Sequence, residues 1–290
     1  MIVNPFEQKG NWYKANLHTH STTSDGEKSF PDRVRQYKEK GYAILAITDH
    51  GKTNNINGHS TNNFLVISGM EVHPPCATGD LYHFVCLNVP QDFNPDCSDA
   101  ATCLPQVRKA GGEYIIAHPY WCGHNITHLV YFKDAVAVEV YNATCGKIGK
   151  AYSSVVWDDL LDLGWPLPAV AVDDVHGGRD LFMGWTMIKA PKLDLPSVMN
   201  AIKTGCYYAS CGPEIKDFRI ENKKATVECS PVREIHFMGQ RATGGSSYAD
   251  DGPDLTTAQF DIGDDINYLR VELVDQKGNR AWTNPVFLKK

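Results

Sequence analysis

Asn16-Leu17-His18-Thr19-His20, followed by Asp25-Gly26, is the stretch that decides how this chain folds. It stands at the end of a strand-like apolar run, 13–17. Residues two apart on a strand share a face, so His18 and His20 point to one side. An imidazole pair with a carboxylate a few residues on is how nitrogen and oxygen grip a metal ion. A lone His-x-His on an exposed strand carries little weight; its recurrence carries more. Later runs end in Thr48-Asp49-His50, Gly69-Met70-Glu71, Ala117-His118-Pro119 and Asp174-Val175-His176, the last a second pair sharing one face.

Working outward, residues 1–208 alternate between short apolar runs and helical patterns. The runs are 13–17, 42–48, 64–69, 81–89, 114–117, 135–141 and 169–173. Most are unbroken, as in a sheet buried on both faces. Helices are expected from Ser29, with Pro31 in the first turn, to Gly41, and from about 104 to Gly111-Gly112. Two more are expected over 153–164, with Val155, Val156, Leu160 and Leu163 as the apolar face, and from an Asp194 cap to Gly205. Helix, glycine, apolar strand, repeated, is the grammar of a parallel α/β barrel or wound sheet, and a barrel builds its site at the carboxyl ends of its strands. The run 81–89 is an exception. It follows Glu71 through Pro74-Pro75 and Thr78-Gly79-Asp80, so a hairpin is expected that sets Glu71 roughly opposite His83.

Near Cys206–Pro213 the helical periodicity stops. Alternating runs follow at 215–220, 225–229, 234–238, 258–262, 268–274 and 281–288, with turn signals at Asn222-Lys223 and Lys277-Gly278-Asn279. Residues 209–290 therefore read as a small β-sandwich that gains stability by docking on the first domain.

Composition excludes several classes. No apolar run approaches the length of a membrane span, and the N-terminus carries neither a basic region nor a long apolar core, so no secretory signal is expected. Nine cysteines, an odd number with no C-x-x-C pair, argue against a disulfide framework and for a reducing, cytoplasmic setting, in which the Asn125-Ile126-Thr127 sequon has no meaning. Net charge is -6, with no Lys/Arg cluster interleaved with aromatics, so duplex nucleic acid is not the expected partner. A small-molecule substrate is expected instead, with a single-stranded one as the alternative.

The candidate ligands are six imidazoles, His18, His20, His50, His83, His118 and His176, and three carboxylates, Asp25, Glu71 and Asp174. Mixed nitrogen and oxygen donors suit Zn, Mn or Fe and not a structural thiolate site. Nine donors are too many for one ion and suit two or three. Such a cluster makes a positive pocket that lowers the pKa of bound water and attracts an anionic substrate.

Taken together, Asn16–His20, Asp25-Gly26, Thr48–His50, Glu71, His83, His118-Pro119 and Asp174–His176 resemble the PHP (polymerase and histidinol phosphatase) family of metal-dependent hydrolases. The resemblance covers most of residues 1–208. It implies a distorted seven-stranded (β/α) barrel with a trinuclear site. Carried over motif by motif, it assigns His18, His20, Glu71 and Asp174 to one metal. Glu71 as a bridge, His83 and His118 go to the second, and Asp25, His50 and His176 to the third. Gly205–Ser210 with Gly212-Pro213, and Asp275 with Ala281–Pro285, resemble the C-terminal β-domain of the carbaryl-hydrolase-like branch. That branch implies hydrolysis without fixing the scissile bond as a phosphate ester.

The expected activity is that of a phosphoesterase on a small phosphate mono- or diester, in which a hydroxide bridging the metals attacks phosphorus. Attack on the carbonyl carbon of a carbamate, ester or amide is the alternative, and a non-catalytic metal-binding scaffold a second one. Asp49 is expected to orient an imidazole or to cap the following loop, and Asn142 to meet substrate or to support a ligand from behind. Arg179, with its fork, and Lys52 follow ligand motifs and are candidates to hold an anionic oxygen. Cys145 is expected to be a buried, inert thiol. His59, His73, His124, His128 and His236 fit no strand-end pattern and are expected on the surface, with lining the mouth of the pocket as the alternative for His73 and His124. Tyr120-Trp121 is expected to wall the pocket or simply to pack.

Overall fold

Short apolar runs rich in Val, Ile and Ala cannot make helices of useful length, and here they make a barrel. The computed structural model describes residues 2–288. Seven strands stand in chain order round it: β1 Asn11–Asn16, β2 Ile44–Ile47, β3 Leu65–Val72, β4 Phe84–Leu87, β5 Glu113–Ile116, β6 Ala137–Asn142 and β7 Ala169–Val172. All neighbours are parallel except that β4 runs against both β3 and β5. The distortion is concentrated where the ring closes. Beyond β1 and β7 the chain makes a single parallel bridge, Thr19 with Val175. There His20 N donates to Val175 O at 3.1 Å and Asp174 N to His18 O at 3.0 Å. Closure therefore falls on the carboxyl ends that carry the histidines.

The helices are α1 Phe30–Glu39, α2 Ala100–Lys109, the one-turn α3 Pro119–Cys122 and α4 Ile126–Leu129, α5 Ser154–Asp162 and α6 Leu195–Lys203. Ser29 and Asp194 cap α1 and α6 as the sequence predicts, accepting from Asp32 N and Ser197 N. Helix α2 starts earlier than expected because Asp99 accepts from Thr102 N. On α5 half of the expected apolar face holds, Leu160 buried and Val156 packed on the core. Val155 and Leu163 are 74% and 52% exposed, and the buried face is Trp157, Leu160 and Leu161. The large indole fixes the rotation of the helix, its Nε1 donating to Leu167 O at 2.8 Å.

The hairpin of β3 and β4 forms, in a register that pairs Glu71 with Val85 and Val72 with Phe84. One step on, the rings of His73 and His83 meet at 4.2 Å. His83 thus reaches Glu71 diagonally along the same face.

Strand β8, Trp185–Ala190, pairs antiparallel with β1, and β9, Tyr207–Ser210, with β8. The chain then builds β10 Ile215–Glu221, β11 Lys224–Val232, β12 Glu234–Met238, β13 Gly244–Tyr248, β14 Leu255–Asp261, β15 Tyr268–Val274, β16 Arg280–Thr283 and β17 Val286–Phe287. One layer is β10-β11-β14; the other runs β13-β12-β15-β16-β9 and so continues into the barrel sheet. Phe218, Val227, Ile235, Phe237, Val271 and Leu273 fill the space between them. Asn222 and Lys223, with φ of 51° and 61°, make the β10–β11 turn.

The two parts are joined by more than the shared sheet. Asn284 Oδ1 accepts from Ala169 N, and its Nδ2 donates to Gly205 O and Tyr207 O. Arg270, fully buried, forks onto Asp158 of α5 at 2.8 and 2.7 Å. No helix among the described residues is long and apolar enough to cross a membrane.

Candidate metal centre

All nine side chains singled out from the sequence converge at the closed end of the barrel. Glu71, 1% exposed at the end of β3, is the hub. Six imidazoles lie within 2.8–3.5 Å of its oxygens: those of His18, His20, His50, His73, His83 and His118. Asp174 approaches His20 Nε2 at 3.0 Å and His18 Nε2 at 3.3 Å. Asp25 lies 3.4 Å from both His50 Nε2 and His176 Nε2. Above them opens a cavity of about 270 Å³, which Trp121, Thr144 and Cys145 also line.

These contacts have the pattern of donors aimed at common points rather than of paired hydrogen bonds. Asp174 Oδ1 is buried without a hydrogen bond although two imidazole nitrogens face it. His18 Nε2 and His20 Nε2 stand 3.0 Å apart. A proton on one of these nitrogens can be donated to the lone pair of the other, and a shared cation would take that proton's place. Groups formed by His18, His20 and Asp174, by His18, Glu71 and His118, and by His20, Asp25, His50 and His176 have their ligand atoms close enough to hold an ion. The donors are therefore of the right type and spacing for more than one divalent ion.

The electrostatics agree. Burial pushes the Glu71 carboxyl up, but His18, His118 and His50 outweigh it and hold it well below the usual range. Burial pushes His18 down, and Asp174, Glu139 and Glu71 reverse this, raising it well above its ordinary value. The site thus keeps its carboxylates ionised, as ligands must be, while an ion would displace the proton that those carboxylates hold on His18.

No family model and no curated protein matches the chain. Solved structures do. A two-domain protein containing a predicted PHP-like metal-dependent phosphoesterase from Bacteroides vulgatus superposes over 94% of each chain, with a TM-score of 0.56 and 16% identity. The chain has the PHP fold, with its added β-domain. An amidohydrolase from Chromobacterium violaceum aligns over 56% of this chain and 87% of its own, at a TM-score of 0.43 and 15% identity.

Within the PHP fold, the candidate ligands rest on a layer of which the sequence revealed Asn142 but not Glu139. Glu139, 1% exposed in the middle of β6, lies 2.6 Å from His18 Nδ1 and accepts from His118 N at 2.9 Å. Asn142 Nδ2 donates to Glu139 Oε2 at 2.8 Å and to Asp174 Oδ2 at 3.1 Å, so Asn142 supports the donors from behind. A register shift in the β6–β7 ladder falls between Glu139 and Tyr141, where a bulge turns both side chains inward although they are three residues apart. Replacing Glu139 by Gln is expected to weaken metal affinity about 10–100-fold, as loss of a carboxylate behind a ligand histidine does. Competition with a chelator of known affinity measures it.

Asp180 holds the backbone of His176, accepting from its N at 3.1 Å and from Thr144 Oγ1 at 2.6 Å, while the ring Nδ1 lies 2.8 Å from Asp174 O. Asp173 accepts from Tyr37 Oη and from the amides of Phe182, Met183 and Gly184, and burial pushes it up to about 6.

Several expectations need correction. Asp49 touches no imidazole. Its oxygens accept from Ser21 N, Ser21 Oγ, Ser24 Oγ and Asn54 Nδ2 at 2.6–2.7 Å, so it clamps the loop that delivers Asp25. Replacing Asp49 by Ala is expected to release that loop and reduce occupancy at the Asp25–His50–His176 position by about tenfold, by analogy with the loss of support behind a ligand. Metal analysis at limiting metal reads it, with the other positions retained. Arg179 is exposed and Lys52 donates to Thr23 O at 3.1 Å; neither lines the cavity.

His73 is not a surface residue: it is 22% exposed, and its Nε2 lies 3.1 Å from His50 Nδ1. The hairpin register explains this, and x-separation from Glu71 was the available signal. His124 is buried beside Tyr82, and burial, with His128, pushes it down to about 4. Cys145 is buried, and burial raises its thiol far above the ordinary range, so it is inert as expected. Cys122, which no pattern pointed to, places Sγ 3.4 Å from His118 Nδ1.

Proposed function

We propose that the chain is a metal-dependent hydrolase of the PHP family, acting on a small phosphate mono- or diester at the barrel mouth. Residues 1–208 are the catalytic unit and 209–290 the appended β-domain. The observation that carries this is the hub at Glu71, a single buried carboxylate surrounded by six imidazoles at the floor of an open cavity. A structural role alone does not call for such a concentration of ligand atoms.

Two or three divalent ions, Zn, Mn or Fe, would be held as the resemblance assigns them: by His18, His20, Glu71 and Asp174; by Glu71, His83 and His118; and by Asp25, His50 and His176. When bound, such ions supply Lewis acidity and water of lowered pKa. The chain's own residues prepare the site. Glu139 fixes the tautomer and tilt of His18, Asn142 steadies Asp174, and Asp49 holds the Asp25 loop in place. The cavity volume supports a small substrate, and the expected charge of the loaded cluster an anionic one. The similarity to the Bacteroides vulgatus protein that contains a predicted metal-dependent phosphoesterase supports the phosphate reading.

The test is release of nitrophenolate from p-nitrophenyl phosphate and its bis-ester by protein loaded with Zn, Mn or Fe. Activity is expected that a chelator abolishes and added metal restores. Metal-loaded protein that cleaves neither ester overturns the reading.

A second reading, hydrolysis of a carbamate, ester or amide, is favoured by one feature. No Lys or Arg lines the cavity. A phosphate dianion would then rely on the ions alone, whereas a neutral acyl substrate needs no further cation. Cleavage of aryl acetates or carbamates, with no action on phosphates, would select it, and the carbaryl-hydrolase-like resemblance of the β-domain fits it.

A further inference from the structure

We infer that Trp121 selects the leaving group, and that the substrate carries an uncharged planar or aromatic group rather than a sugar or polyol. This rests on the hydrolase reading above.

The inference comes from the part of the cavity wall that is not metal donor. That part consists of Trp121, Thr144 and Cys145. Thr144 spends its hydroxyl elsewhere, within 2.7 Å of Asp174 O and 2.6 Å of Asp180 Oδ2, so it offers the cavity its methyl group. Cys145 is a buried thiol and a weak partner at best. A hydroxyl set against this wall gains almost no hydrogen bond for the water it gives up, and each one that the indole covers costs about 1–3 kcal/mol if left unpaired. A planar apolar group loses little and meets an indole.

The indole is held ready. Trp121 is 42% exposed, yet it stands edge-on to the rings of His83 and His118, at centroid distances of 5.6 and 5.2 Å. Its helix α3 is pinned at both ends. His118 has φ of 25°, a conformation that L-residues seldom adopt, and its amide is tied to Glu139 Oε2 at 2.9 Å. Gly123, with φ of 72°, closes the turn. The same carboxylate that orients His18 therefore also sets where Trp121 stands. Aromatic pairing adds about 0.5–1.5 kcal/mol beyond burial.

The experiment uses two inert phosphate mimics, phenylphosphonate and methylphosphonate, so that leaving-group reactivity plays no part. Binding to the metal-loaded protein is measured by calorimetry and by competition in the nitrophenyl assay. Phenylphosphonate is expected to bind about tenfold tighter than methylphosphonate. Trp121→Ala is expected to remove that advantage while leaving methylphosphonate binding unchanged, and Trp121→Phe to keep most of it. Equal affinities in the parent protein, or an advantage that survives Trp121→Ala, overturn the inference. If neither phosphonate binds, the phosphate reading fails and the indole is judged on phenyl against methyl carbamates, with the same variants and criteria.

Discussion

Replacing Glu71 by glutamine is expected to lower hydrolytic turnover by about a thousandfold or more and to empty at least one metal position. The change keeps the size of the side chain and its place on β3 but removes the one charge that six imidazoles face. Metal-ion catalysis contributes several kcal/mol, and each 1.4 kcal/mol is a factor of ten. The metal-free variant is expected to melt below the metal-free parent, because it loses the ionised carboxylate that the imidazoles hold well below its usual range. Loss of metal by a variant that still folds separates a ligand from a purely structural residue. Elemental analysis and a thermal melt are sufficient. His236→Ala is the control, since His236 lies in the β-domain beside Ser246 and Glu234. A Glu71→Gln protein with a full metal complement and undiminished turnover would dismiss Glu71 as the hub.

Much of this site was legible because a barrel writes its active residues at one place in each repeat. His18, His50, Glu71, His118 and Asp174 each follow an apolar run, so position along the chain stands in for position in space. The features that were not legible share a different physics. Glu139 lies inside an apolar strand, and only the bulge beside it turns Glu139 and Asn142 to the same side. Strand β8 alternates half-buried with buried residues and includes Lys189, so it lacks the unbroken apolar run of its neighbours. Strand β13, Gly244-Gly245-Ser246-Ser247-Tyr248, has almost no apolar residue to show a period. Its pairing with β12 alone fixes it. Asp49 was noticed for its place beside His50, yet the loop in front of it claims both oxygens. In each case a tertiary contact, not a local preference, decides the outcome.

Arg270→Ala is expected to cost about 3–5 kcal/mol of stability, the range for removing one partner of a buried ion pair. Arg270 is 0% exposed on β15. Its fork meets both oxygens of Asp158 on α5, its Nη1 donates to Glu272 at 3.2 Å, and its guanidinium lies 4.7 Å from the Trp157 ring. Truncation leaves two carboxylates facing a void between barrel and sandwich. Glu272 is 4% exposed and keeps only Arg280 as a partner. Asp158 is already raised by burial, with Arg270 opposing the rise. Without Arg270 its pKa climbs further. A carboxyl whose folded pKa exceeds its unfolded value favours folding below the unfolded pKa and loses that contribution as pH rises through the folded one. The variant is therefore expected to be most destabilised at neutral pH and to recover as pH falls into the carboxylate range. Adding Asp158→Asn removes the orphaned charge and should restore part of the loss at neutral pH, flattening the pH dependence. Urea unfolding of the parent, the single and the double variant tests this. A pH-independent loss would mean that Arg270 acts only through its packing on Trp157.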